Sequence, residues 1–195
     1  MKKFILITVI ALMANLTFAQ EKGKLRVSLD LGYAIPSAGG GGASLYLEPM
    51  YNIKGNMSVG IRLASTSLNK EIEFSDGNTS GTSIDSNESY MVTYNYYFNG
   101  SDSSFVPFIG GGLGYVSIPN IGADRFSTTN NSVKSNGEFG TMIRGGFEWR
   151  KFRLGLDYNF ISKSDLIDFN GDEIGFTKNS YLGINIGFFV GGGKW

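Results

Sequence analysis

The sequence predicts an all-β protein, an eight-stranded antiparallel up-and-down transmembrane β-barrel. Three observations carry that expectation. Eight stretches alternate apolar and polar residues with a period of two, the segments joining them alternate long and short, and the face opposite the apolar one is too charged for a soluble core.

At 195 residues the chain suits one domain. Its first nineteen residues read as a signal peptide: Lys2 and Lys3, an eleven-residue apolar run from Phe4 to Ala14, and Thr17-Phe18-Ala19 as a small-x-small cleavage site. As a helix that run would rise only ~17 Å, too short to span a ~30 Å hydrocarbon core. The expected division is therefore signal peptide 1–19 and barrel domain 20–195.

The first stretch places Leu25, Val27, Leu29, Leu31, Tyr33 and Ile35 on one face, with Arg26, Ser28 and Asp30 on the other. A glycine-rich turn from Pro36 to Gly42 leads into the second, where Leu45, Leu47, Tyr51 and Ile53 oppose Tyr46, Glu48, Met50 and Asn52. Lys54-Gly55-Asn56 reverses the chain into the third, with Met57, Val59, Ile61 and Leu63 against Ser58 and Arg62.

A polar segment from Thr66 to Glu88 is expected as a long loop. The fourth stretch then sets Tyr90, Val92, Tyr94, Tyr96 and Phe98 on one face, and the fifth sets Phe105, Ile109, Leu113 and Tyr115 against Gly110, Gly112 and Gly114. A second long loop is expected from Pro119 to Gly137. The sixth stretch (Phe139, Ile143, Phe147, Trp149) turns at Arg150-Lys151 into the seventh (Phe152, Leu154, Leu156, Tyr158, Phe160). After a third long loop, Ile161 to Asn179, the eighth carries Leu182, Ile184, Ile186, Phe188 and Val190.

Alternation alone also fits a soluble lipid-binding barrel of the periplasm, so three further features discriminate. Long segments gather at one end and short turns at the other, the asymmetry of outer-membrane barrels. Aromatic residues of the apolar face fall at strand ends: Tyr94, Tyr96, Phe98, Phe105, Trp149, Phe152 and Phe188 toward the short turns, and Tyr33, Tyr115, Phe139, Tyr158 and Phe160 toward the long loops. Two interfacial girdles are expected from them. The other face carries Arg26, Asp30, Glu48, Arg62, Glu138, Arg144, Glu148, Arg153 and Asp157, which predicts an inward network of paired charges. Since eight strands enclose only enough room for side chains, a filled lumen is expected.

Composition narrows the chemistry. The chain has no cysteine and no histidine, so disulfides, thiolate metal sites and histidine-dependent hydrolysis are excluded. Without Lys2 and Lys3 there remain 15 basic and 17 acidic residues, which gives no electrostatic case for nucleic acid. No enzymatic activity, cofactor or metal is expected. Glu48 with Glu148 is the one carboxylate pair weighed for acid–base work, against an interior salt bridge. The run Gly110 to Gly114 lies within a strand with no helix after it, so it reads as space for large neighbours and not as a phosphate loop. Asp168, Asn170 and Asp172 match three calcium-loop positions, but Glu173 and Asn179 stand where glycine and glutamate are required, so a solvated loop is the expectation.

Phe105 to Tyr115 (FVPFIGGGLGY), the hairpin Gly145 to Phe160 (GGFEWRKFRLGLDYNF) and the terminal aromatic Trp195 resemble the small outer-membrane β-barrel families. These are the OmpX/OmpA-type and OmpW-like barrels of Gram-negative bacteria, abundant in Bacteroidetes, and the resemblance covers Gln20 to Trp195. It implies a bacterial outer-membrane location, with outer-membrane lipid and the barrel assembly machinery as partners. The expected role is non-enzymatic display of long extracellular loops to an outside ligand or surface, in envelope integrity, adhesion or defence. A narrow, porin-like channel for small solutes is the alternative. The resemblance expects an apolar alternation ending in an aromatic, yet Gly191 to Lys194 puts Trp195 out of phase with Phe188.

Overall fold

The computed structural model describes residues 21–74, 79–98, 104–119, 135–167 and 173–192. Among them are ten strands: β1 (Leu25–Pro36), β2 (Gly41–Lys54), β3 (Met57–Phe74), β4 (Thr79–Tyr97), β5 (Phe105–Pro119), β6 (Ser135–Trp149), β7 (Phe152–Ile161), β8 (Ser164–Ile167), β9 (Glu173–Thr177) and β10 (Tyr181–Gly191). Consecutive strands pair antiparallel from β1 through β7. β10 joins β7 to β1, and the β2–β3 ladder leaves no open seam. The barrel is therefore the eight strands β1 to β7 and β10, in up-and-down order, so no spanning strand leaves backbone groups facing lipid. The hairpin β8–β9 lies outside it, on the far end of β3 (Glu73 opposite Phe176).

The register sets the barrel's shape. Paired residues lead once around the wall from Leu25 through Tyr51, Val59, Tyr94, Gly111, Ile143, Tyr158 and Leu182, and return to β1 at Ile35, ten residues above the start. A stagger of ten residues around eight strands tilts them about 40° from the axis, within the usual range for closed barrels. At that tilt each residue climbs ~2.5 Å along the axis and each successive strand is offset by ~3 Å.

Alternation now has a physical meaning. Leu31 is 62% exposed while its neighbour Asp30 is 5% exposed, and Ile143, Leu154, Leu156 and Ile186 likewise face outward. Water would not tolerate so continuous an aliphatic band, which sets aside the soluble alternative. Tyr96, Phe98, Phe105, Trp149, Phe152 and Phe188 form a ring near the short turns. Tyr33, Tyr115, Phe139, Tyr158 and Phe160 form another, about 20 Å above it given the stagger, which brackets an apolar band of membrane thickness.

Tyr94 does not belong to the lower ring. Its row passes through Gly111 and Ile143, which puts it near mid-height, and its count of residues from the β4 turn misplaced it because that count ignores the offset between tilted strands. Tyr51 and Tyr90, both about half exposed, join the lower and upper rings instead.

The polar segment Thr66 to Glu88 is mostly strand. Residues of β3 up to Glu73 pair with β4 back to Thr79, so the hairpin runs roughly 20 Å past the upper ring. The backbone ladder continues there through a largely polar sequence, where the apolar period that marks the membrane strands is too sparse to reveal it. The third long loop holds β8 and β9 for the same reason. At the opposite end, Gly191 and Gly192 take positive φ (80° and 87°), a turn that stops β10 in phase at Gly191. Trp195 and the expected signal peptide 1–19 lie outside the described residues.

Candidate functional site: the charged interior

The inward-facing side chains stack in three layers. Glu48 is at the centre of the middle one: Arg144 Nη1 donates to its Oε2 at 2.7 Å, Arg153 Nη1 lies 3.3 Å from the same oxygen, and Thr93 Oγ1 donates to Oε1 at 2.6 Å. Arg153 also lies 3.7 Å from Asp30 and, through Nε, 3.4 Å from Glu148, which in turn pairs with Arg26. Arg62 pairs separately with Asp157 at 3.0 Å. Each guanidinium thus meets at least one carboxylate, and four arginines face four acids, leaving this layer neutral. Neutrality matters because an uncompensated charge in so dry a site costs several kcal/mol.

Neutral polar groups add hydrogen bonds to these charges, while Asp30 Oδ1, Glu148 Oε2 and Arg153 Nη2 stay buried without a hydrogen-bond partner among the described residues. Asn159 Nδ2 donates to Asp157 Oδ2 at 2.6 Å and Asn185 Nδ2 donates to Asp157 Oδ1; Arg144 Nε donates to Asn95 Oδ1 at 2.8 Å. Aromatic rings stack on the cations, with Arg26 3.9 Å from the centre of Phe189, Arg62 3.9 Å from Tyr46 and Arg153 4.7 Å from Phe108. Gly110 makes room for this, since a Cβ there would run into Asn95 Oδ1 and the Tyr94 carbonyl oxygen. A void of about 10 Å³ among Asp30, Arg62, Arg144, Arg153 and Asp157 is the size of a single water.

Apolar layers lie above and below. Tyr97, Val106 and Phe108 pack toward the short turns, and Ala34, Leu68, Met91, Val116, Met142, Ile161 and Tyr181 toward the long segments. At the lower rim Asn52 Nδ2 donates to the Gly192 carbonyl (3.1 Å), and Lys151 Nζ donates to the Gly191 carbonyl (3.3 Å). Partial burial, aided by the nearby Arg26 charge, holds the Lys151 amine below its ordinary lysine value, with Glu148 opposing.

Of the nine charged residues expected inside, the structure brings eight together. Glu138 stays apart: opposite Val116 near the upper mouth, it is half-exposed and makes no ion pair among the described residues. Alternation gave its face correctly but not its height. Asn95, Asn159, Asn185 and Thr93, which complete the network, carry no charge and so gave no signal beyond their inward position. Glu48 and Glu148 both contact Arg153, so this carboxylate pair is part of the interior salt-bridge network. Among the described residues no cluster suits a metal ion. Asp168, Asn170 and Asp172 lie outside those residues, and Asn179 donates to the Ser162 carbonyl at 2.7 Å.

No curated protein matches the sequence. Among solved structures, the outer membrane protein OprG of Pseudomonas aeruginosa superposes with a TM-score of 0.59 at 13% identity, covering 89% of this chain and 98% of that one. Neisserial surface protein A (NspA) gives 0.53 at 16% identity, covering 88% and 96%. The outer membrane enzyme PagL gives 0.51 at 13%, covering 84% and 98%. At such identities the shared feature is the fold, and PagL shows that this fold accommodates an enzyme as well. The sequence itself matches the outer membrane protein beta-barrel domain over residues 4–191. With that match across nearly the whole chain and the same closed eight-stranded wall, the protein belongs to the outer membrane protein beta-barrel domain family, and its place is the bacterial outer membrane.

Proposed function

We propose that this is a non-enzymatic surface barrel with a non-conducting interior. Its task is to hold the long extracellular segments on a rigid stem, serving envelope integrity, adhesion or defence. The observation that carries the reading is the interior's charge balance. Each arginine of the middle layer meets an acid and apolar clusters lie above and below, so no excess charge is left inside to draw a solute. The absence of histidine and cysteine agrees with it. What remains distinctive is the projecting β3–β4 hairpin with β8–β9 laid against it.

Recording from planar bilayers tests the interior. Purified protein is expected to give no resolved single-channel steps, and large, steady, reproducible steps would overturn the filled-lumen reading in favour of a narrow channel. Loss of attachment or serum survival in cells whose barrel carries a shortened β3–β4 hairpin tests the display role.

A further inference from the structure

The outer wall is not uniformly padded. Where β6, β7 and β10 meet, a groove of about 220 Å³ opens toward the lipid, bordered by Ile143, Gly145, Leu156, Tyr158 and Leu182. Its floor is Gly145, an outward position in a row otherwise filled by large apolar residues. A Cβ added there would meet nothing nearer than the Phe108 carbonyl oxygen at 3.6 Å, an ordinary contact. Inward glycines such as Gly110 are forced by a close approach, but nothing in the backbone forces this one, and the notch it leaves is space. The groove climbs from mid-membrane at Gly145 to the upper aromatic ring at Tyr158, whose hydroxyl hydrogen-bonds Ser37 Oγ at 3.3 Å.

Two cations follow in sequence on the segments that leave β7 and enter β10. Lys163 is five residues past Tyr158, and Lys178 four before Leu182. The segments carrying them are tied together, since Asn179 Nδ2 donates to the Ser162 carbonyl and Ser180 Oγ bonds both the Ile161 N–H and carbonyl at 3.1 Å. Lys163 is exposed and Lys178 half-exposed. An apolar groove through the hydrocarbon zone, a hydroxyl pair at the interface and two ammonium groups at the rim follow, in order, the chemistry of an anionic lipid. We propose that this groove holds one acyl chain of a phosphate-bearing lipid of the leaflet at the long-segment end, with its phosphate between Lys163 and Lys178.

Native mass spectrometry of protein released from mixed micelles of phosphatidic acid and phosphatidylcholine reads both halves of the site. The native chain is expected to retain a single phosphatidic acid, at least about tenfold preferred over phosphatidylcholine. Lys163→Gln with Lys178→Gln should abolish the preference while leaving some lipid retained. Gly145→Leu, which fills the groove, should remove the retained lipid of either kind. Ile61→Ala, on the opposite wall, should change neither, and unboiled gel mobility confirms that each variant is folded. Equal retention of the two lipids by the native chain, or undiminished retention by folded Gly145→Leu, would overturn the proposal.

Discussion

Glu48 is the residue whose loss best tests whether the interior is dry. It is fully buried and faces the guanidinium groups of Arg144 and Arg153, whose charge centres lie about 4 Å away. At an effective dielectric constant of ~20, each such pair is worth about 4 kcal/mol of attraction, so roughly 8 kcal/mol in all, offset by several kcal/mol for desolvating the carboxylate. Glu48→Gln keeps the shape and the Thr93 contact but leaves four arginines against three acids. The expected net loss is about 3–5 kcal/mol, the usual result when one member of a buried ion network is removed.

Restoring neutrality should restore most of that loss. Glu48→Gln combined with Arg144→Met removes one charge of each sign, and the double variant is expected within about 2 kcal/mol of the native chain. Reversible urea unfolding from lipid vesicles, followed by tryptophan fluorescence and by unboiled gel mobility, measures all of these. A loss below about 1 kcal/mol for Glu48→Gln would refute the reasoning, because only water reaching Arg144 and Arg153 could then solvate the excess charge. The same result would weaken the filled-lumen reading, which makes the unfolding experiment an independent check on the bilayer recording.

Three further outcomes follow from the geometry. Arg150 holds φ at 55° in the two-residue turn between β6 and β7, so Arg150→Gly is expected to stabilise the barrel by up to about 1 kcal/mol in urea unfolding, while Arg150→Val destabilises it. Leu31, outward and near mid-membrane, should cost about 2–4 kcal/mol when changed to Arg, against little for Leu31→Ile. Replacing residues 70–83 with a short turn should leave the heat-dependent gel shift of the barrel intact, since Leu68 is the last buried side chain on β3 among the described residues; loss of the shift would show that the projecting hairpin is needed for closure.

Much of the barrel could be read before its structure, and the reasons differ by layer. A strand's two faces follow from parity, so Arg26, Glu48 and Arg153 could be placed inside from the neighbours that flank them. Which arginine meets which acid could not be read: Arg26 and Glu148 are 122 residues apart and meet across the lumen. That pairing depends on the stagger, a property of the whole wall that no single strand records. The same missing quantity misplaced Tyr94 and left Glu138 in a network it does not join. Beyond the membrane the parity signal itself vanishes, because Ser, Thr and Asn suit both faces of a hydrated sheet, and so β3 and β4 continue where a loop was expected.

These limits bear on where function can reside. With eight strands and a stagger of ten, the void at the middle of the charged layer has room for about one water, and the layer's four cations are matched by four anions. Removing one charge of the middle layer leaves its partner buried and unpaired, so that layer resists gradual change. The aliphatic band is constrained by hydrocarbon in the same way. The surfaces free to vary are the rim with its projecting hairpin, where any polar sequence keeps the ladder, and places such as Gly145 where the wall is thinned without strain. On the proposed reading, recognition by this barrel takes place above the membrane and against its side.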